Sequence, residues 1–282
     1  MAESLQESGF AILVGHDITT RQLIQFYQSW DEFFVAANKQ PYTVDPVTQA
    51  GYFSIEDAEK AKAARDQDLK EYYQFWPGTR LPEAQQAVTL GLYDQMYDLA
   101  IDILGALQNY LPDSLWQGLE KSRPHYLSRQ DTMIRILRYP PLTGREPRGA
   151  MRAAPHEDIN FITLLPAATQ TGLQIKPSNA DWQPVNAPTG AIIVNIGDML
   201  QELTGRLLPS TTHRVINPAD MSQHQPRITA PLFCHPEPSL RLSPEYTAGD
   251  YLRERLNEIN TQPDRKSTRL NSSYLVISYA VF

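Results

Sequence analysis

The stretch Pro155-His156-Glu157-Asp158-Ile159-Asn160-Phe161-Ile162-Thr163-Leu164-Leu165 decides how this chain is read. Its second half is a short apolar run with β-branched residues, the pattern of a buried strand. Its first half sets an imidazole and a carboxylate two positions apart. Side chains alternate along an extended segment, so His156 and Asp158 are expected on one face. Glu157 then points away as a surface charge. A second imidazole opens another β-rich run in Thr212-His213-Arg214-Val215.

Around this stretch, short runs with β propensity follow one another, at residues 133–139, 161–165, 172–175, 191–195, 213–217 and 228–233. Turn residues separate them. Many short strands at modest spacing predict a barrel or sandwich. The front of the chain reads differently. Gly9-Phe10-Ala11-Ile12-Leu13-Val14 predicts one short buried strand, placed almost at the start. Thr19 with Gln22 forms a capping box, and Leu23, Phe26, Tyr27, Trp30 and Phe34 then recur on one helical face. Residues 38–53 read as loop and 56–65 as a short charged helix. A long helix is expected from Pro82, its apolar stripe formed by Val88, Leu92, Met96, Leu99, Ile103, Leu107 and Tyr110. Residues 246–259 read as a closing helix. The expected organisation is a helical region over 1–128, a β core over 129–262 and a tail over 263–282. The tail breaks in style at Arg265-Lys266-Ser267-Thr268-Arg269 and reads as a non-native addition, although 274–282 has the β propensity of a last strand.

Composition narrows the function. Charged residues make up 20% of the chain and hydrophobic ones 41%, which describes a globular protein. A net charge of −7 gives no footprint for nucleic acid. There is no long apolar run to span a membrane and no basic leader. Cys234 is the single cysteine, so an intramolecular disulfide is ruled out and a reducing, cytoplasmic setting is expected. A soluble monomer or weak dimer fits the acidic balance.

With thiolates unavailable, a metal must be held by His and carboxylate. Two imidazoles and one carboxylate (His156, Asp158 and His213) occupy one face of an ion and leave the other open. That arrangement suits non-haem Fe(II), which must bind oxygen and a co-substrate together. Zinc accepts the same donors, but zinc hydrolases usually show tighter spacing or a nearby base. His16, His125, His224 and His235 read as strand-end or loop residues. Arg227-Ile228-Thr229 repeats the period of two, so a guanidinium and a hydroxyl share a face and can grip a carboxylate. Tyr139, closing Ile136-Leu137-Arg138-Tyr139-Pro140, can add a phenol or merely cap a rim.

These residues resemble the isopenicillin-N-synthase-like branch of the 2-oxoglutarate/Fe(II)-dependent oxygenases, from about Gly9 to about Ile259. Gly9-Phe10 with Gly15-His16, then Gly51-Tyr52, and Asp68-Leu69-Lys70-Glu71-Tyr72-Tyr73 are similar to its amino-terminal motifs. Arg227-Ile228-Thr229-Ala230-Pro231-Leu232-Phe233 is similar to its Arg-x-Ser-x-Pro-Phe-Phe pattern, with Thr229 keeping the hydroxyl. The resemblance implies a mainly β protein with helical support, a double-stranded β-helix or jelly roll. It implies Fe(II) on His156, Asp158 and His213, and 2-oxoglutarate held by Arg227, Thr229 and Tyr139. It also implies O2 as oxidant, a small-molecule substrate that is hydroxylated or desaturated, and release of succinate and CO2. Two alternatives stay open here. One is a co-substrate-free iron oxidase of the isopenicillin N synthase type; the other is a non-catalytic metal-binding jelly-roll module.

Overall fold

The computed structural model describes residues 1–55, 69–116, 126–142, 151–178, 180–218 and 225–260. In chain order the elements are α1 (Ala2–Ser8), β1 (Phe10–Leu13), α2 (Thr20–Val35), β2 (Gly51–Phe53), β3 (Glu71–Phe75), α3 (Glu83–Tyr110), β4 (Met133–Tyr139), β5 (Ala153–His156) and β6 (Ile162–Pro166). There follow β7 (Leu173–Ile175), β8 (Gln183–Pro184), β9 (Ile192–Ile196), α4 (Asp198–Leu203), β10 (His213–Val215), β11 (Arg227–Thr229), β12 (Leu232–Cys234) and α5 (Ala248–Asn260). The strands make two antiparallel sheets. The larger runs β1-β9-β6-β12-β4-β3-β2, with β11 beside β12 along the same edge of β4. The smaller runs β5-β10-β7-β8. Together they form the jelly roll.

Alternation along the large sheet sorts its side chains into two populations. Ile134, Ile136, Ile162, Leu164, Ile192, Val194, Ile196, Ile228, Leu232 and Cys234 join one core with α2 and α3. Phe10 and Ile193 instead pack with Ala153, Leu173, Ile175 and Val215 of the small sheet. That second face, between the sheets, is also where the period of two sends Tyr139, Thr163, Asn195, Arg227 and Thr229.

The supporting helices form as their sequence dictates. The Thr19 side chain accepts the Gln22 backbone N–H at 3.2 Å and the Gln22 side chain accepts the Thr19 N–H at 2.8 Å, completing the capping box. Leu23, Phe26, Tyr27, Trp30 and Phe34 are all buried. Each buried aromatic contributes about 1.5–3 kcal/mol. Trp30, fully enclosed, donates its indole N–H to Thr89 Oγ1 of α3 at 3.0 Å, joining the two helices. Pro82 is the N-cap of α3, and the helix stops at Leu111, ahead of Pro112. Of the expected stripe, Leu92, Met96, Ile103 and Leu107 are buried, whereas Tyr110 is exposed.

Several expectations are corrected. A helix, α1, precedes the first strand. Residues 38–53 are not all loop, because β2 pairs with β3 in the register Tyr52↔Tyr73. The expected strand at 228–233 is two, β11 and β12, broken at Ala230-Pro231 because proline has no N–H for the ladder. Strands β1, β2 and β3 from the helical front join the large sheet. The charged helix at 56–65 and the tail from 263 lie outside the described residues. Among the described residues, no helix is long and apolar enough to cross a membrane.

Candidate metal centre

His156 ends β5 and His213 begins β10, and the two are opposite one another in the antiparallel register. Their rings lie 4.2 Å apart between centroids. Asp158 is not on the strand with His156, contrary to the expectation from alternation. It follows β5 in a short connection, held there by its backbone carbonyl accepting the Asp198 N–H at 2.7 Å. That seating requires a close approach by Gly197. A Cβ on Gly197 would meet the Asn160 carbonyl oxygen at 2.1 Å. Asp158 Oδ1 lies 3.9 Å from His156 Nε2 and 3.7 Å from His213 Nε2. One ligand atom from each residue falls within 4.8 Å of the others.

The surroundings set which atoms face the centre. His156 Nδ1 is 2.7 Å from the Ala154 carbonyl and His213 Nδ1 is 3.1 Å from that of Thr211. A carbonyl only accepts, so each Nδ1 carries the proton and each Nε2 presents a lone pair to the centre. Asp158 Oδ2 accepts from Thr163 Oγ1 and, at 2.8 Å, from Asn195 Nδ2, which leaves Oδ1 turned inward. Phe10 packs edge-on to the His213 ring at 5.5 Å.

Electrostatics agree with this division. Burial, then the neighbouring His213, push the His156 imidazole down to about 3, so it stays neutral and available. Burial raises the Asp158 carboxyl, but the two imidazoles and the Thr163 and Asn195 hydrogen bonds outweigh it and hold it below the usual carboxylate range. The result is a carboxylate oxygen and two ring nitrogens gathered around one point, a donor set that fits a divalent iron ion.

Arg227, Thr229 and Tyr139 also come together. Arg227 stands opposite Tyr139 in the β11–β4 register, and its guanidinium carbon lies 5.2 Å from the Tyr139 ring centre. Its Nε donates to the Gln170 carbonyl at 3.1 Å. Arg227 Nη1 and Thr229 Oγ1 are buried without a hydrogen-bond partner. Leaving such groups unpaired is costly, most of all on a charge. Burial lowers the Arg227 pKa, against the raising influence of Tyr139 and Tyr27. Tyr27, read from sequence only as a helix-core residue, also donates its hydroxyl to the Pro166 and Ala167 carbonyls at 3.2 and 3.3 Å.

Of the other histidines, His235 is buried at the end of β12 and His16 sits in the turn after β1, neither in the cluster, while His125 and His224 lie outside the described residues. The sequence reading missed Thr163 and Asn195. The available signal was a lone polar residue inside an apolar strand, Thr163 between Ile162 and Leu164 and Asn195 between Val194 and Ile196.

The family model of the 2OG-Fe(II) oxygenase superfamily matches residues 130–236. The solved structure of a candidate oxygenase from Shewanella oneidensis superposes with a TM-score of 0.83 at 40% identity, covering 93% of this chain and 94% of that one. A candidate 2OG-Fe(II) oxygenase family protein from Caulobacter crescentus gives 0.75 at 30% identity, with 92% of each chain covered. The curated 2-oxoglutarate-dependent dioxygenase 11 of Oryza sativa subsp. japonica is 28% identical over 266 residues, 86% of this chain and 68% of that protein.

Proposed function

We propose roles for the site residues from the premise that the chain belongs to the 2OG-Fe(II) oxygenase superfamily and is an Fe(II)- and 2-oxoglutarate-dependent oxygenase. On that premise His156, Asp158 and His213 hold the ferrous ion, and Arg227, Thr229 and Tyr139 hold the distal carboxylate of 2-oxoglutarate. The observation that carries the second assignment is the pair of buried, unpartnered donors, Arg227 Nη1 and Thr229 Oγ1, on the intersheet side of β11. When bound, iron and 2-oxoglutarate supply the oxidising chemistry, in which O2 is the oxidant and decarboxylation to succinate and CO2 accompanies substrate oxidation.

The protein's own part is positional. The Ala154 and Thr211 carbonyls hold both imidazoles in the tautomer whose Nε2 lone pair faces the centre. Thr163 and Asn195 keep Asp158 to a single inward oxygen. Arg227 matches a carboxylate with a planar fork, and its burial strengthens that attraction. The primary substrate is a small molecule. The protein acts in the cytoplasm as a monomer or weak dimer, without nucleic-acid or membrane partners, in keeping with its charge of −7.

The test is an anaerobic titration of the Fe(II) protein with 2-oxoglutarate, followed by its charge-transfer absorption, with succinate assayed after oxygen is admitted. Arg227→Met is expected to weaken 2-oxoglutarate at least about 100-fold, as loss of a buried charge pair does. Unchanged affinity in that variant would overturn the clamp.

A further inference from the structure

Arg152 immediately precedes β5, four positions before His156, and is only 1% exposed. Its Nη2 donates to the Gln225 carbonyl at 3.3 Å, while its Nε is buried with no partner. Its guanidinium carbon lies 5.9 Å from the centre of the same Tyr139 ring that Arg227 approaches. Burial, and then the Arg227 charge, lower the Arg152 pKa. Two cations therefore share one buried region. The buried carboxylates among the described residues are Glu71 and Asp158. Glu71 is taken by Arg138 at 3.0 Å and Lys39 at 3.7 Å, and Asp158 by the imidazoles. Neither Arg152 nor Arg227 has an acidic partner among the described residues.

The bound co-substrate accounts for only one of them. Ferrous iron and Arg227 are together matched by Asp158 and the two carboxylates of 2-oxoglutarate. Among the described residues Arg152 is left over, a buried charge with one carbonyl contact and an unpartnered Nε. A group of one negative charge balances it, which favours a carboxylate over a phosphate dianion, and a planar fork suits a carboxylate.

We infer that Arg152 is a specificity residue that binds a carboxylate of the primary substrate, so that this oxygenase acts on small organic acids. The inference rests on the placement of 2-oxoglutarate on Arg227. It is tested on the Fe(II)·2-oxoglutarate protein under argon, with phenylacetate, indole-3-acetate and hexanoate, each beside its methyl ester, as probes in calorimetric and thermal-shift titrations. At least one acid is expected to bind where its ester does not. Arg152→Gln should weaken that acid at least about 30-fold while 2-oxoglutarate affinity changes less than about 3-fold. Arg152→Lys, which keeps the charge without the fork, should hold the fold and lose part of the affinity. Acids binding no better than esters, or an Arg152→Gln variant with undiminished acid affinity, would overturn the inference. So would a loss of 2-oxoglutarate binding in Arg152→Gln as large as in Arg227→Gln, since Arg152 would then belong to the co-substrate clamp. Failure of the underlying placement has a different signature, an Arg227→Gln protein with unchanged 2-oxoglutarate affinity.

Discussion

Replacing Thr163 with valine isolates the outer support of the metal centre. Valine keeps the shape of the side chain and its place in β6, and removes only the hydroxyl that donates to Asp158 Oδ2. Asn195 Nδ2 remains as a second donor at 2.8 Å. Asn160 Nδ2 loses the Thr163 oxygen it holds at 2.9 Å but keeps the Ile162 carbonyl at 3.1 Å. The principal loss is therefore one hydrogen bond to a charged acceptor, about 1.5–3 kcal/mol. Part of that cost is felt in the metal-free fold. The rest appears in metal binding, where a carboxylate freed on one side can rotate its inner oxygen off the centre. The expected fall in Fe(II) or Mn(II) affinity is about 10–100-fold, and about 30-fold corresponds to about 2 kcal/mol. Anaerobic competition titration with a chromogenic chelator measures it, and Thr163→Ser should return to within about 3-fold of the parent. If Thr163→Val retains parental circular dichroism and binds metal within 3-fold of the parent, the reasoning is refuted.

Two further outcomes follow from the structure. Thr19→Ala removes the capping box of α2 and should lower stability by about 1 kcal/mol in urea denaturation, with no change in metal affinity. The metal-free protein should lose stability as pH falls below about 6.5, where the unfolded imidazole takes up a proton that folded His156 refuses until about pH 3. Because the unfolded chain binds the extra proton, the slope from this group approaches about 1.4 kcal/mol per pH unit in that window, and above it the group contributes none. His156→Gln should flatten that part of the profile; an unchanged slope would assign it to other groups.

Some of this was legible in the sequence because the residues concerned obey local rules. The Thr19 capping box and the aromatic face of α2 depend on neighbours within one helical turn. Strand β4 was placed at its observed bounds because its apolar run is continuous. His156, Asp158 and His213 stood out because few side chains can ligate a metal, and the structure does bring them within 4.8 Å. The reason offered for Asp158 was nevertheless wrong, since a connection anchored by Asp198, not strand alternation, positions it. Strand β3 was missed because all five of its residues are buried, which erases the alternating pattern. Strand order was unreadable, because β9 lies between β1 and β6 through contacts far apart in the chain. Arg152 carries no local signal; its interest arises only from the absence of an acidic partner among the described residues, a property of three dimensions.

The pairing of β1 with β9 has a consequence for biosynthesis. Phe10 faces Asn195 across the ladder and packs against the His213 ring, so one support and one ligand of the metal pocket lean on a strand made well before β9. During synthesis that strand has no β9 partner until residues 192–196 leave the ribosome, and its open edge is exposed to the hazards of unpaired strands in the interval. Closing so long a loop is slow. The pocket is therefore complete only once strands far apart in the chain have paired.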